Sequence, residues 1–159
     1  MKKLAIVYYS RTGNTETMAR LIAEGAAMES DVQVDVKHVK DFPAEKALGY
    51  DGLIIGSPTY YGSMAHEIKK FFDDSVSFHG KLSGKVGSAF SSAANIGGGN
   101  ETTITGILNA MLIHGMIIQG DSSGDHYGTV SIGSPDERVE RQCRALGKRI
   151  AGLMKKVAQ

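Results

Sequence analysis

Three stretches of this chain carry side chains that core packing does not explain. In the first, Ser10-Arg11-Thr12-Gly13-Asn14-Thr15, hydroxyls and an amide surround a glycine just ahead of an apolar pattern at helical spacing. A helix N-terminus offers unpaired N–H donors and the positive end of the peptide dipoles. Such a stretch holds a phosphate without needing lysine or arginine. Ser10, Thr12 and Thr15 would add charge-assisted hydrogen bonds, and Gly13 would let the backbone approach closely. Ordinary capping asks for one Ser, Thr or Asn, whereas Ser10, Thr12, Asn14 and Thr15 all stand here.

The second stretch is Ser57-Pro58-Thr59-Tyr60-Tyr61-Gly62-Ser63. Adjacent tyrosines on a loop expose apolar area that a flat heteroaromatic ring would cover, with offset stacking adding about 0.5–1.5 kcal/mol. The plain alternative is one tyrosine in the core and one on the surface. The third stretch runs through Ser91-Ser92-Ala93-Ala94-Asn95-Ile96-Gly97-Gly98-Gly99-Asn100. Three consecutive glycines between a strand and a helix suggest backbone shaped to a ligand, its N–H and C=O groups reading a heterocycle edge; a flexible surface loop is the alternative. Phosphate cradle, ring platform and edge reader together describe one ligand, a phosphorylated planar cofactor.

Other chemistries fit less well. Gly80 to Val86 lacks the Walker spacing, and Gly97-Gly98-Gly99 is out of dinucleotide-fold register. Gly120-Asp121-Ser122-Ser123-Gly124 spells a nucleophile elbow, but a loop follows it and the only later histidine is His126. The five histidines show no metal-ligand spacing, so no metal site is expected. Cys143 sits on an apolar helix face and reads as a small packed hydrophobe.

Elements that would position the three stretches follow from periodicity. Leu4 to Tyr9 and Leu53 to Ile55 read as strands buried on both faces, Val32, Val34 and Val36 as a half-exposed one, and Val86 to Ser91 and Met116 to Ile118 as the fourth and fifth. Met18, Leu21, Ile22 and Gly25 mark a helix, as do Ala65, Ile68 and Phe72, then Ile104 through Leu112 closed by Gly115. Asp121 to Thr129 is a polar loop. Ser134-Pro135-Asp136-Glu137 predicts an N-cap, a proline at the first helical position and a reciprocal Glu. Val139, Cys143, Leu146, Ile150, Leu153 and Val157 then line one face. Alternating strands and helices predict a single α/β domain over 1–159 with a parallel sheet, whose ligands sit beyond the strands' carboxyl ends.

Bulk properties agree. The chain has 159 residues, long enough for one core without staples, and 18 basic against 17 acidic residues exclude a nucleic-acid-coating protein. One cysteine excludes a disulfide framework, and no apolar run approaches a membrane span or a signal-peptide core. A cytoplasmic location with no membrane insertion is the expectation.

Ile6 through Ala19 resembles the phosphate loop of flavodoxins, and further segments resemble the WrbA-type NAD(P)H:quinone oxidoreductases: Tyr8-Tyr9-Ser10, Pro58-Thr59, Gly62, Phe90-Ser91-Ser92, Gly97-Gly98-Gly99, Glu101, Thr103-Ile104, His114-Gly115-Met116 and Tyr127-Gly128. The likeness spans most of the chain. It implies a three-layer doubly wound fold with five parallel strands in the order 2-1-3-4-5, of which flavodoxin is a standard example. It implies FMN as cofactor, Ser10 to Thr15 on its phosphate, Pro58 to Ser63 and Ser92 to Gly99 around the isoalloxazine, and His114 near the flavin on the substrate side. By residue type alone, His114 is a helix-end histidine complementing the dipole. The chain lacks that group's insertions after the second strand and around Gly120 to Tyr127, and it has no tryptophan to line a quinone pocket.

Two functions follow, with a third behind them. As an enzyme, the protein would pass two electrons from NAD(P)H through FMN to a quinone or similar small acceptor, with a homo-oligomer as one expected state. As a carrier, it would shuttle single electrons between redox proteins. A net charge of +1 favours the enzyme, because carriers are usually acidic, and the short length favours the carrier. The third is a domain that binds FMN or a partner without redox turnover.

Overall fold

Leu4, Ile6 and Tyr8 turn to one side of their strand and Ala5 and Val7 to the other, and all five are buried. A strand packed on both faces reads as a continuous apolar run because helices cover each side. The computed structural model describes residues 1–157. Its main elements are β1 (Lys2–Tyr8), α1 (Asn14–Ala26), β2 (Val32–His38), β3 (Gly52–Tyr60), β4 (Ser63–Met64), α2 (His66–Asp74), β5 (Val86–Ala93), α3 (Asn100–Ile113), β6 (Ile117–Ile118), β7 (Val130–Ile132) and α4 (Glu137–Lys156).

The sheet runs β2-β1-β3-β5-β6 with parallel pairing throughout, while β4 folds back antiparallel on the end of β3. With that two-residue hairpin strand set aside, this is the expected doubly wound order. The fifth position is shared. β6 pairs with Val86 and Gly87 at the start of β5, and β7 pairs with Ser91 to Ala93 at its end. β7 escaped the periodicity because three residues are too few to alternate visibly.

Residues 119–129 leave the sheet between those halves, as the polar composition predicts. Asp121 accepts from the Ser123 amide at 2.8 Å and from Arg149 at 2.6 Å. These contacts hold its carboxyl below the usual range. Asp125 accepts from Arg138 and from the Val130 amide, each at 2.9 Å.

On one face α1 and α4 cover Leu4, Ile6, Ile54, Val86 and Phe90; on the other α2 and α3 cover Ala5, Val7, Leu53, Ile55 and Ala89. α1 and α4 meet backbone to backbone. A Cβ on Gly147 would overlap the Ile22 carbonyl, and one on Gly25 would overlap that of Arg144. Ile68 and Phe71 turn α2 inward, Phe71 in place of the expected Phe72, which is only partly buried.

Two helix ends were set by identifiable residues. α3 closes as predicted: Gly115 at φ 76° follows the last turn, its N–H donating to the Leu112 carbonyl at 2.9 Å and that of Met116 to Met111 at 3.2 Å. α4 starts two residues later than expected. Its cap is Asp136, whose carboxylate accepts from the Val139 amide at 2.8 Å, so Pro135 precedes the helix and Ser134 instead donates to Asn14 Oδ1 at 3.3 Å. A carboxylate accepts more strongly than a hydroxyl against the helix dipole. Toward its end α4 buries Ala151 and Met154, while Val157 falls at the exposed C-cap.

Candidate functional site

The loops after β1, β3 and β5 emerge at the same edge of the sheet, where the strand order reverses between β1 and β3. With the strand ends that lead into them, they enclose a cleft of about 470 Å³ lined by Ser10, Arg11, Thr12, Asn14 and Thr15 of the first loop, by Pro58, Thr59 and Tyr60, which end β3 rather than follow it, and by Ser92, Ala93 and Ala94 at the end of β5, with Gly133 after β7 as the fourth side. That volume lies within the range of small-molecule and cofactor sites. Eleven of the sequence-identified residues line it.

At the first loop, the capping explanation fails on geometry. Residue Gly13, at φ 102°, is the N-cap of α1, and no side chain caps that helix. The Gly13 amide donates to Ser10 Oγ at 3.1 Å, leaving the Ser10 proton free to point onward. Thr12 is exposed, but Thr15 is buried and its hydroxyl pairs with Ser92 Oγ at 2.9 Å. Glu16, the acid in the first turn, is drawn aside by Arg20 at 2.6 Å. That hydrogen bond holds the Glu16 carboxyl below its ordinary range. The helix start thus presents dipole, backbone donors and hydroxyls with the guanidinium of Arg11 at the rim, which is what a phosphate needs.

The two tyrosines of the second loop part ways. Tyr60 lines the cleft and meets the edge of Tyr9 at 6.4 Å between ring centres, whereas Tyr61 is fully exposed on the rim. Beneath them lies a network of hydroxyls. Thr59 donates to Asn100 Oδ1 at 3.3 Å, accepts from Thr103 at 3.1 Å and pairs with Ser91 at 2.9 Å; Asn100 in turn donates to the Ser131 carbonyl at 3.5 Å. Gly62 and Ser63 turn at the tip beside Gly99, and Asn95, Ile96, Gly97 and Gly98 form the outer part of the third loop, with Ile96 exposed. These residues surround the cleft without lining it.

Sequence reasoning placed Asn100 at the end of the third stretch and met Thr103 only through the resemblance; it passed over Thr102, Ser131 and Gly133. The signal for Thr102 was the density of small polar residues in the first turn of an otherwise apolar helix.

His114 is elsewhere. It follows α3, whose 14 residues carry the chain about 20 Å away from the cleft at 1.5 Å per residue. Its Nε2 lies 2.7 Å from Ser75 Oγ, and since Ser75 donates to the Phe72 carbonyl at 2.6 Å, Nε2 is the donor. The ring stacks on Phe78 at 6.0 Å, and burial, with the neighbouring His79, pushes its pKa down. Within one chain it lines a separate pocket with Ser75, His79 and Ile113 and not the cleft that the other expected residues line. Cys143 is buried between α1 and α4 with its thiol pushed up to about 12, chiefly by burial. A protonated, enclosed thiol is chemically inert. Among the described residues no cluster could hold a metal ion, and no helix is long and apolar enough to cross a membrane.

A doubly wound sheet of this order, with its loops gathered at the reversal point, is the flavodoxin-like fold. The chain belongs to the flavodoxin family, which it matches over residues 6–154. It is 41% identical over 159 residues to a flavodoxin of Aquifex aeolicus, covering 95% of this chain and 86% of that one. It is also 30% identical over 200 residues to an NAD(P)H dehydrogenase (quinone) of Chromohalobacter salexigens, covering 99% and 100%. In structure it superposes on a flavodoxin, WrbA-like protein from Agrobacterium tumefaciens with a TM-score of 0.83 at 24% identity, over 98% of this chain and 99% of that one.

Proposed function

We propose that the cleft binds FMN and that the protein is a flavodoxin-type electron carrier. The uncapped start of α1 carries this reading: donors, dipole and hydroxyls face a cleft that no protein side chain fills. Bound FMN supplies reversible one- and two-electron chemistry. The protein's part is placement. Ser10, Arg11, Thr12, Asn14 and the backbone of Gly13 to Thr15 would hold the phosphate, with Thr15 fixed by Ser92. Pro58, Thr59 and Tyr60 would flank one side of the ring and Ser92 to Gly99 its edge, with Tyr61 and Ile96 adding apolar cover from the rim. Covering the ring excludes water on the sides the loops reach and leaves the open side for electron exchange.

The carrier reading is favoured over the enzyme by His114, the one residue assigned to a small-molecule substrate, which lies away from the cleft. A co-linear match to flavodoxins, including one of Clostridium saccharobutylicum at 35% identity over 98% of this chain and 99% of that one, supports it further. The second reading, NAD(P)H reducing a quinone through FMN, keeps the support of the net charge of +1 and of the quinone dehydrogenase relatives. Anaerobic mixing separates the two. The carrier should stay yellow for minutes with NADH or NADPH alone and bleach when a flavoprotein reductase is added. Rapid bleaching by either nucleotide alone, followed by reoxidation with a benzoquinone, would establish the enzyme instead. Protein that remains colourless in excess FMN would remove both.

A further inference from the structure

The hairpin that carries Tyr60 and Tyr61 turns in an unfavourable way. Tyr60 pairs with Ser63, so Tyr61 and Gly62 are the two loop residues, and both have positive φ, 49° and 76°. Two-residue hairpins favour this turn, but they favour Asn or Asp followed by Gly in it. A tyrosine in the left-handed region is strained, because its Cβ crowds the following carbonyl oxygen, and it persists only where its surroundings over-determine it. Two contacts from α3 do so. Thr102 Oγ1 donates to the Gly62 carbonyl at 2.6 Å, and Gly99 lies so close that a Cβ there would come within 2.7 Å of the Gly62 Cα.

Thr102 has a second acceptor, the Gly99 carbonyl at 3.0 Å in its own helix. One hydroxyl proton therefore serves two carbonyls: donated to Gly62 it joins the second loop to the third, and donated to Gly99 it leaves the hairpin free. The residue is exposed and does not line the cleft. Its neighbours Asn100 and Thr103 anchor the root of the hairpin through Thr59, so Thr102 governs the tip alone.

We infer that Thr102 is a positioning residue: its hydroxyl latches the Tyr61–Gly62 turn to the start of α3 and sets how readily the two loops part to admit and release the cofactor. The inference rests on the FMN reading, but the latch itself can be tested without flavin. Thr102→Val keeps the shape and removes the donor; Thr102→Ser restores it. In flavin-free protein, Thr102→Val should speed amide hydrogen exchange at residues 61–64 about three- to tenfold, the span of one net hydrogen bond, with the melting temperature unchanged. With FMN added, its dissociation rate should rise by a similar factor. Thr102→Ser should return both values toward wild type. Equal exchange and equal release in wild type and Thr102→Val, or failure of the serine to restore either, would overturn the latch. Wild-type protein that binds no FMN would overturn the flavin reading, and the exchange comparison would still decide the latch.

Discussion

Thr12 and Thr15 look interchangeable in the sequence and are not so in the structure. The exposed Thr12 hydroxyl has no structural duty, so Thr12→Ala should weaken FMN binding by about 1.5–3 kcal/mol, the worth of a hydrogen bond to a charged group, without changing stability. Thr15 is buried against Ser92, and Thr15→Val should both weaken FMN binding and lower the stability of the flavin-free protein by about 1–2 kcal/mol, because the Ser92 hydroxyl loses its partner. Fluorescence titration and urea unfolding on the two variants separate these effects. His114 predicts a pH dependence. Burial and His79 hold its folded pKa below the ordinary 6.5, so the folded state takes up its proton later than the unfolded chain as pH falls. Stability is therefore full above pH 6.5 and declines from there toward the folded pKa. Replacing it by Gln, which keeps a donor for Ser75, should flatten the decline in urea midpoints between pH 7 and pH 5. An unchanged slope would assign the dependence to other groups.

At the scale of elements, the parts of the fold legible in the sequence were those with a repeated period or a conformational necessity. β1 showed as an apolar run because both its faces are covered, α3 ended where Gly115 could take positive φ, and the three loops stood out because more small polar residues gather there than capping needs. What stayed hidden depends on partners far along the chain. β7 is visible only beside the end of β5, the choice of Asp136 over Ser134 as cap is made by geometry around Val139, and the distance from His114 to the cleft is a property of helix length and direction. The close approach of α1 and α4 belongs to the same hidden class. Gly147→Ala would gain up to about 1 kcal/mol in helix propensity, yet its methyl would collide with the Ile22 carbonyl. A net loss of about 1–3 kcal/mol is expected, read as a lower melting temperature with the helical circular dichroism unchanged.

Across the whole molecule, one face of the sheet edge gathers every loop assigned to the ligand, and binding there should tighten the fold as a unit. FMN at a hundredfold excess over its dissociation constant should stabilise the protein by about 2.7 kcal/mol, which for a chain of this size raises the melting temperature by roughly 5–11 °C. A calorimetric scan with and without FMN measures it, and riboflavin lacking the phosphate should give a distinctly smaller rise. The divided fifth strand has a separate consequence for life at high concentration. An uninterrupted border strand is a template on which another chain can add its own backbone and begin a fibril. Here that border is cut into pieces of two and three residues with a charged, firmly tethered excursion between them, so a newcomer finds no continuous row of donors and acceptors to copy.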